Sequence, residues 1–137
     1  MGLGFVFKHK QEGWEASNAQ YSNIPDFGED NWYALFFEVL GCPESGLSMP
    51  EKDVAEYWER IRLNFQQAIP DYPMLGRIWD FYIDVWYAPE EIEQLRNECF
   101  KAQANTSNPT ALEGLGLLLQ ACEKASADQL GIFLAAD

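Results

Sequence analysis

The chain has 137 residues, of which 47% are hydrophobic and 15% are aromatic. This length suits one domain with one core, and the apolar content excludes disorder for most of the chain. The net charge of −13, from 22 acidic and 9 scattered basic residues, disfavours nucleic acid and anionic membranes as partners because both would be repelled. We therefore expect a single globular domain over residues 1–137 that binds neither.

The three cysteines, Cys42, Cys99 and Cys122, include no Cys-x-x-Cys pair. An odd number without paired spacing predicts neither a disulfide framework nor a zinc site. The N-terminal residues lack the long apolar region and basic start of a signal peptide, and no apolar run is long enough to span a bilayer. Together with reduced thiols, this predicts a cytoplasmic protein without a cofactor.

The first elements in chain order are a short strand and a helix. Leu3–Phe7 is apolar and β-prone, and residues 8–28 are polar and turn-rich, so we expect a strand followed by an ordered loop. Residues 29–40 predict a helix that ends at Gly41. Its apolar face is widened by Tyr33 and Phe37, which predicts a helix buried on two sides.

The middle of the chain contains one clear helix and one ambiguous segment. Apolar residues at helical spacing predict an amphipathic helix over residues 50–69, after a loop at 41–50. Residues 75–87 fit both the strand period and the helix period. The density of β-branched and aromatic residues favours a strand near the end, so we expect a helical turn near 74–79 and a strand near 82–87.

The last third predicts a helical hairpin and a final strand. Pro89 opens the first helix, and Asn108 can cap the second, in which Pro109 takes the first position. The expected inner faces are Ile92, Leu95, Cys99 and Ala102, then Leu112, Leu115, Leu119 and Cys122. With a strand over residues 130–135, the sequence predicts a helix-rich α+β fold with about four helices and a few short strands, at the N-terminus, near 82–87 and at the C-terminus.

Two aspartates are candidate metal ligands. Asp80 and Asp84 could join Glu90 and Glu91 as oxygen ligands for Mg²⁺ or Ca²⁺. However, the segment lacks the glycine and the alternating Asp or Asn residues of a calcium loop. A solvated strand face before a helix start explains the same residues and is the favoured interpretation. His9 is the only histidine and has no catalytic partner nearby in the sequence.

Aromatic residues exceed what a small core needs, and Tyr and Trp are the usual anchors of interfaces. A core built on large rings is the favoured explanation, and a protein-binding surface or homodimer seam is the functional alternative. The candidate partner-binding residues are Trp14, Tyr21, Trp79, Tyr82 and Trp86.

Several short motifs resemble a group of small acidic bacterial proteins of unknown function. The opening Met1-Gly2-Leu3-Gly4-Phe5, with Ser17-Asn18-Ala19, resembles their start, and Pro73-Met74-Leu75 with Pro89-Glu90-Glu91 resembles their middle. An Asp-x-Asp-Gly run precedes Pro-Glu-Glu in that group. Here Tyr82 replaces the first Asp and Val85 replaces the Gly. This difference argues against a cation-binding loop at these residues, even if the group has one. The resemblance implies a bacterial cytoplasmic protein and supplies no activity.

Three functions remain open from the sequence. Net charge, size and aromatic content favour an interaction module that binds a basic partner, as immunity proteins bind toxic nucleases. A metal-binding protein or enzyme that uses the Asp80/Asp84 region is the second hypothesis. A self-associating structural protein with aromatic residues at a dimer seam is the third. The distributed acidity favours binding over catalysis.

Overall fold

The protein folds around an antiparallel sheet. A computed structural model describes residues 2–9, 19–21, 23–42, 62–63 and 69–136. Over these residues, helices accompany a five-stranded sheet, so the predicted α+β class is confirmed. The predicted helix over residues 50–69 lies outside the described residues, apart from the helical Arg62 and Leu63 and the buried Ile69.

Two strands from opposite ends of the sequence form the middle of the sheet. β1 (Gly2–Lys8) pairs with β5 (Gly131–Ala136) in an antiparallel register that runs from Leu3 opposite Ala136 to Lys8 opposite Gly131. The prediction of both strands is confirmed. Leu3, Phe5 and Phe7 of β1 belong to the core cluster, which explains why an apolar segment takes a central position in the sheet.

Three short strands complete the sheet. β2 (Ala19–Tyr21) and β3 (Phe27–Gly28) both pair with β1, and β4 (Val85–Tyr87) pairs with β5. The strand order is β2–β1–β5–β4, with β3 also beside β1. β4 therefore lies beside β5 at one edge of the sheet.

The helix predicted over residues 29–40 is present and has an unusual second half. α1 (Glu29–Tyr33) continues as a π-helix over Ala34–Val39. Gly41 then has a φ of 76°, a left-handed conformation that glycine adopts without steric cost. The expectation of burial on two sides is wrong, because Tyr33 is 44% exposed and Phe37 is only partly buried.

The ambiguous segment contains a helical turn and a strand, as predicted, but the strand is shorter. Leu75–Ile78 forms a 3₁₀ helix, and β4 begins at Val85 rather than near residue 82. The reason is a turn at residues 80–83, in which the Asp80 carboxylate accepts a hydrogen bond from the Tyr82 N–H at 2.8 Å. Such a side-chain bond to the following backbone competes with strand pairing.

The predicted helical hairpin is confirmed. A 3₁₀ turn (Pro89–Glu91) leads into α2 (Ile92–Ala104), and α3 (Pro109–Asp128) follows. The Asn108 side chain accepts hydrogen bonds from the N–H groups of Thr110 and Ala111 at 3.0 and 3.1 Å, so its predicted capping role is confirmed. The predicted inner face of α2 is also confirmed, because its four residues are buried.

The inner face of α3 is rotated from the predicted one. Leu117 and Leu118 are buried, whereas Leu112 and Leu119 are only partly buried. The close approach of α1 explains the difference, since a Cβ atom at Gly114 would lie 2.8 Å from the Asn31 Cβ atom. Gly114 therefore belongs to the buried face of α3. A prediction based on the leucine positions alone does not include it and so misplaces that face.

One apolar cluster joins the described strands and helices. It includes residues of β1, α1, the 3₁₀ helix, α2, α3 and β5. Among the residues that the structure describes, no helix has both the length and the apolar character needed to cross a membrane.

Candidate interaction surface

A buried glutamate fixes the segment that precedes the 80–83 turn. Glu98 on α2 is 5% exposed. Its carboxylate accepts hydrogen bonds from the backbone N–H groups of Met74 at 2.9 Å and Leu75 at 3.0 Å, and from the Gln94 side chain at 3.2 Å. These N–H groups lie at the start of the 3₁₀ helix and have no partner within it. Glu98 therefore ties this segment to α2.

Two aromatic side chains hold the same segment from other sides. The Tyr87 hydroxyl donates to the Met74 carbonyl at 2.5 Å, and the Trp32 indole N–H donates to the Ile78 carbonyl at 2.6 Å. Both bonds are buried, where a lost partner is costly. The 3₁₀ helix is thus attached to β4, α1 and α2 immediately before the chain enters the 80–83 turn.

Arg77 covers the outer edge of the sheet. Its guanidinium donates to the Trp86 carbonyl of β4 at 3.1 Å and makes a two-pronged ion pair with Glu91. Hydrogen bonding to Arg77 lowers the pKa of the Glu91 carboxyl, and the same bond raises the pKa of the guanidinium. Glu91 also accepts a hydrogen bond from the Ala88 N–H at 3.0 Å. The Arg77–Glu91 ion pair therefore connects the edge strand β4 to the start of the next helix.

Exposed rings lie beside this fixed segment. A chain of ring contacts runs from Tyr82 to Phe81 (centroids 5.6 Å apart), from Phe81 to Trp32 (6.5 Å), and from Trp32 to Tyr33 (5.2 Å) and Phe37 (5.4 Å). Phe81 and Trp32 are buried, whereas Tyr82 is 61% exposed. We use the name aromatic patch for the three rings that are not fully buried, Tyr33, Phe37 and Tyr82, together with the exposed Ile83 that follows Tyr82.

Acidic residues are sequence neighbours of the residues in the aromatic patch. Asp80 and Asp84 flank Tyr82 and Ile83, and Glu29 and Asp30 precede Tyr33 by about one helical turn. Glu29, Asp30 and Asp84 are exposed, and Asp80 is half-buried. The exposed rings thus have acidic neighbours in the chain, and exposed carboxylates beside apolar rings attract positively charged groups.

Most basic residues in the described part of the chain contact other groups of the protein. Arg77 and Lys101 form the ion pairs with Glu91 and Asp71. In the described part of the chain, five basic groups also lie over aromatic rings, at 4.8–5.5 Å from the ring centroids: Lys8 over Phe133, Arg77 over Tyr87, Arg96 over Phe100, Lys101 over Tyr72 and Lys124 over Phe7. Because 22 acidic residues outnumber 9 basic ones, pairing within the chain cannot neutralise the acidic excess.

The structure places both candidate metal ligands in backbone hydrogen bonds. Asp80 closes the 80–83 turn, and the Asp84 carboxylate accepts from the Ala136 N–H of β5 at 2.8 Å. Of the two glutamates in the predicted set, Glu91 pairs with Arg77 and Glu90 is exposed. Across residues 2–9, 19–21, 23–42, 62–63 and 69–136, no group of three or more His, Cys, Asp or Glu side chains could hold a metal ion.

The five candidate partner-binding residues have different positions. Tyr82 is exposed in the aromatic patch, and Trp79 is partly buried against the core. Trp86 is half-buried and lies against Gly131 of β5. Trp14 and the side chain of Tyr21 lie outside the described residues. Of the candidates that can be placed, Tyr82 is therefore the one available to a partner.

The three cysteines are buried and unpaired. Burial raises the pKa of Cys42 to about 11 and that of Cys122 to about 12, and it raises the pKa of Cys99 as well. Thiols in this state are poor nucleophiles because the thiolate is the reactive form. The prediction that Cys99 and Cys122 are packing residues is confirmed.

Comparison of the chain with protein-family models, with curated proteins and with solved structures gives no match in any of the three.

Proposed function

We propose that this protein is an acidic interaction module that binds a basic protein partner. The observation that supports the proposal most directly is the uneven use of charge. The net charge is −13, and the basic groups of Lys8, Arg77, Arg96, Lys101 and Lys124 lie over the chain's own rings. Because acidic residues outnumber basic ones by 22 to 9, carboxylates remain to attract a cation from outside.

The electrostatics of such a module favour fast association. A surface with one sign of charge attracts an oppositely charged protein over distances of about a Debye length, roughly 8 Å at physiological ionic strength. This attraction raises the association rate at low salt and suppresses partners of the wrong sign. An immunity-like role, in which a basic toxic nuclease is held inactive, would use this property in a bacterial cytoplasm.

The proposed partner can be sought by affinity capture from the source cell at low and at high salt. We expect a basic protein at low salt that is depleted at high salt. The captured protein would then be purified, and its association rate with the module would be measured across ionic strength. A stoichiometric complex whose association slows steeply with salt supports the proposal. Recovery of no partner at either salt, or a rate independent of salt, overturns it.

Self-association is tested with the same material. Light scattering of the purified protein at high concentration gives its mass directly. A monomer is the result expected for a module that binds a different protein. A concentration-dependent dimer that excludes the captured partner would favour the seam hypothesis and overturn the present proposal.

A further inference from the structure

We propose that the aromatic patch is the surface on which the basic partner docks, and that it receives arginine side chains. This inference rests on the proposed function and gives it a location. Tyr82 and Tyr33 are 61% and 44% exposed, and Ile83 is 39% exposed. In the sequence, Tyr82 and Ile83 lie between Asp80 and Asp84, and Tyr33 follows the acidic first turn of α1.

Charge and ring chemistry together select the occupant. A purely apolar partner would leave the neighbouring carboxylates without counter-ions, and a lysine would bring only a compact, strongly hydrated charge. A planar guanidinium can stack on a tyrosine ring while its N–H groups reach a carboxylate. The chain itself contains this arrangement, since Arg77 lies 5.5 Å from the Tyr87 ring centroid and pairs with Glu91.

The patch is held in place before any partner arrives. Phe81 is 5% exposed and anchors the turn that presents Tyr82, and Asp80 fixes the Tyr82 N–H. Trp32, which contacts Tyr33 and Phe37, is itself held by its bond to the Ile78 carbonyl. A rigid aromatic surface loses little conformational entropy on binding, so its exposed rings are suited to act as anchors.

The test uses the whole protein and two peptide probes, dodeca-arginine and dodeca-lysine, at low salt. Binding is followed by NMR on the labelled protein and by titration calorimetry. We expect the arginine peptide to bind more tightly and to perturb the signals of Tyr33, Phe37, Tyr82 and Ile83. Tyr82→Ala should weaken arginine-peptide binding about threefold or more, as expected for loss of one exposed cation–π contact, and should affect the lysine peptide less.

A matched control is available on α2. Phe100 is 47% exposed but already carries Arg96 over its ring, 5.5 Å from the centroid. Phe100→Ala should therefore leave arginine-peptide binding unchanged. Circular dichroism and thermal unfolding of both variants distinguish a loss of binding from a loss of folding. If the Tyr82 variant is unstable, Tyr33→Ala removes a second ring of the patch on another element.

The possible outcomes separate this inference from the proposed function. Equal binding of the two peptides, with shifts spread over the acidic surface and no effect of Tyr82→Ala or Tyr33→Ala, overturns the arginine-binding patch and leaves the electrostatic module in place. Binding of neither peptide at low salt overturns both. An effect of Phe100→Ala equal to that of Tyr82→Ala also overturns the assignment of the patch.

Discussion

The Glu98 carboxylate on α2 accepts hydrogen bonds from the backbone N–H groups of both Met74 and Leu75, at 2.9 and 3.0 Å. Glu98→Ala would leave these two buried donors without a partner, and we expect a loss of about 2–4 kcal/mol in the free energy of unfolding. Glu98→Gln keeps one acceptor oxygen and should cost about 1 kcal/mol. Urea denaturation measures both, and equal losses would contradict this role.

Stability should depend on pH through the same residue. Burial raises the pKa of the Glu98 carboxyl and outweighs the opposing effect of its hydrogen bonds. A carboxyl whose pKa is higher in the folded chain contributes stability that is full below its unfolded pKa, near 4.5, and is lost as pH rises through the folded pKa.

We therefore expect the difference in unfolding free energy between wild type and Glu98→Gln to shrink as pH rises above this range, and then to level off. Urea denaturation at a series of pH values measures that difference and cancels the contribution of the other carboxylates. A difference that grows with pH would mean that the hydrogen bonds dominate over burial.

The ion pair at the sheet edge should respond to pH in the opposite direction. Arg77 lowers the pKa of the Glu91 carboxyl, so this contribution is present above about pH 4.5 and is lost as pH falls through the lowered pKa. Both side chains are partly exposed, at 36% and 25%, so solvent screening limits the pair to about 0.5–1 kcal/mol.

A double-mutant cycle with Arg77→Ala and Glu91→Gln, measured at pH 7 and near pH 3, tests this contribution. The coupling energy should be of that size, about 0.5–1 kcal/mol, at pH 7 and smaller at the lower pH. A coupling energy unchanged between the two conditions would contradict it.

Two glycines should respond in opposite ways to the same substitution. A Cβ atom at Gly131 would collide with the Trp86 ring and lie 2.5 Å from the Tyr87 carbonyl oxygen, which is fixed backbone. Gly131→Ala should therefore destabilise the protein by about 2 kcal/mol or more. A Cβ atom at Gly116, inside α3, would have nothing within 4 Å, so Gly116→Ala should stabilise by about 0.5–1 kcal/mol. Thermal unfolding compares both with wild type.

Local patterns are sufficient to predict most of the described elements. The strands at both ends of the sequence and the helical hairpin follow from apolar periodicity, and the Asn108 cap follows from a short-range rule. The order of the strands depends on contacts between distant segments, and apolar periodicity does not distinguish the π-helical half of the first helix from an α-helix. In the 80–83 turn, the Asp80 side chain accepts from the Tyr82 N–H and its carbonyl accepts from the Ile83 N–H. This turn shortens the strand that composition alone favours.

The candidate surface is only partly predictable. Residue type alone indicates Tyr82, but the helix period assigns Tyr33 and Phe37 to a buried face because it gives no account of which neighbours cover that face. Glu98 is absent from the candidates drawn from the sequence, although it stands three residues after Leu95 and next to Cys99 on the inner stripe of α2. A carboxylate on an apolar stripe is the signal that identifies such a residue, because the group must find buried donors.

The pairing of β1 with β5 also constrains the order of folding during synthesis. Lys8 and Gly131 are partners in the sheet, yet the ribosome makes them far apart in time, roughly 6–25 s at about 5–20 residues per second. During that interval the apolar β1 has no β5 to pair with, while the helical hairpin can form from local contacts. Closure of the sheet is therefore a late event, and until then β1 can pair only with β2 and β3, so its edge toward β5 stays open to non-native pairing.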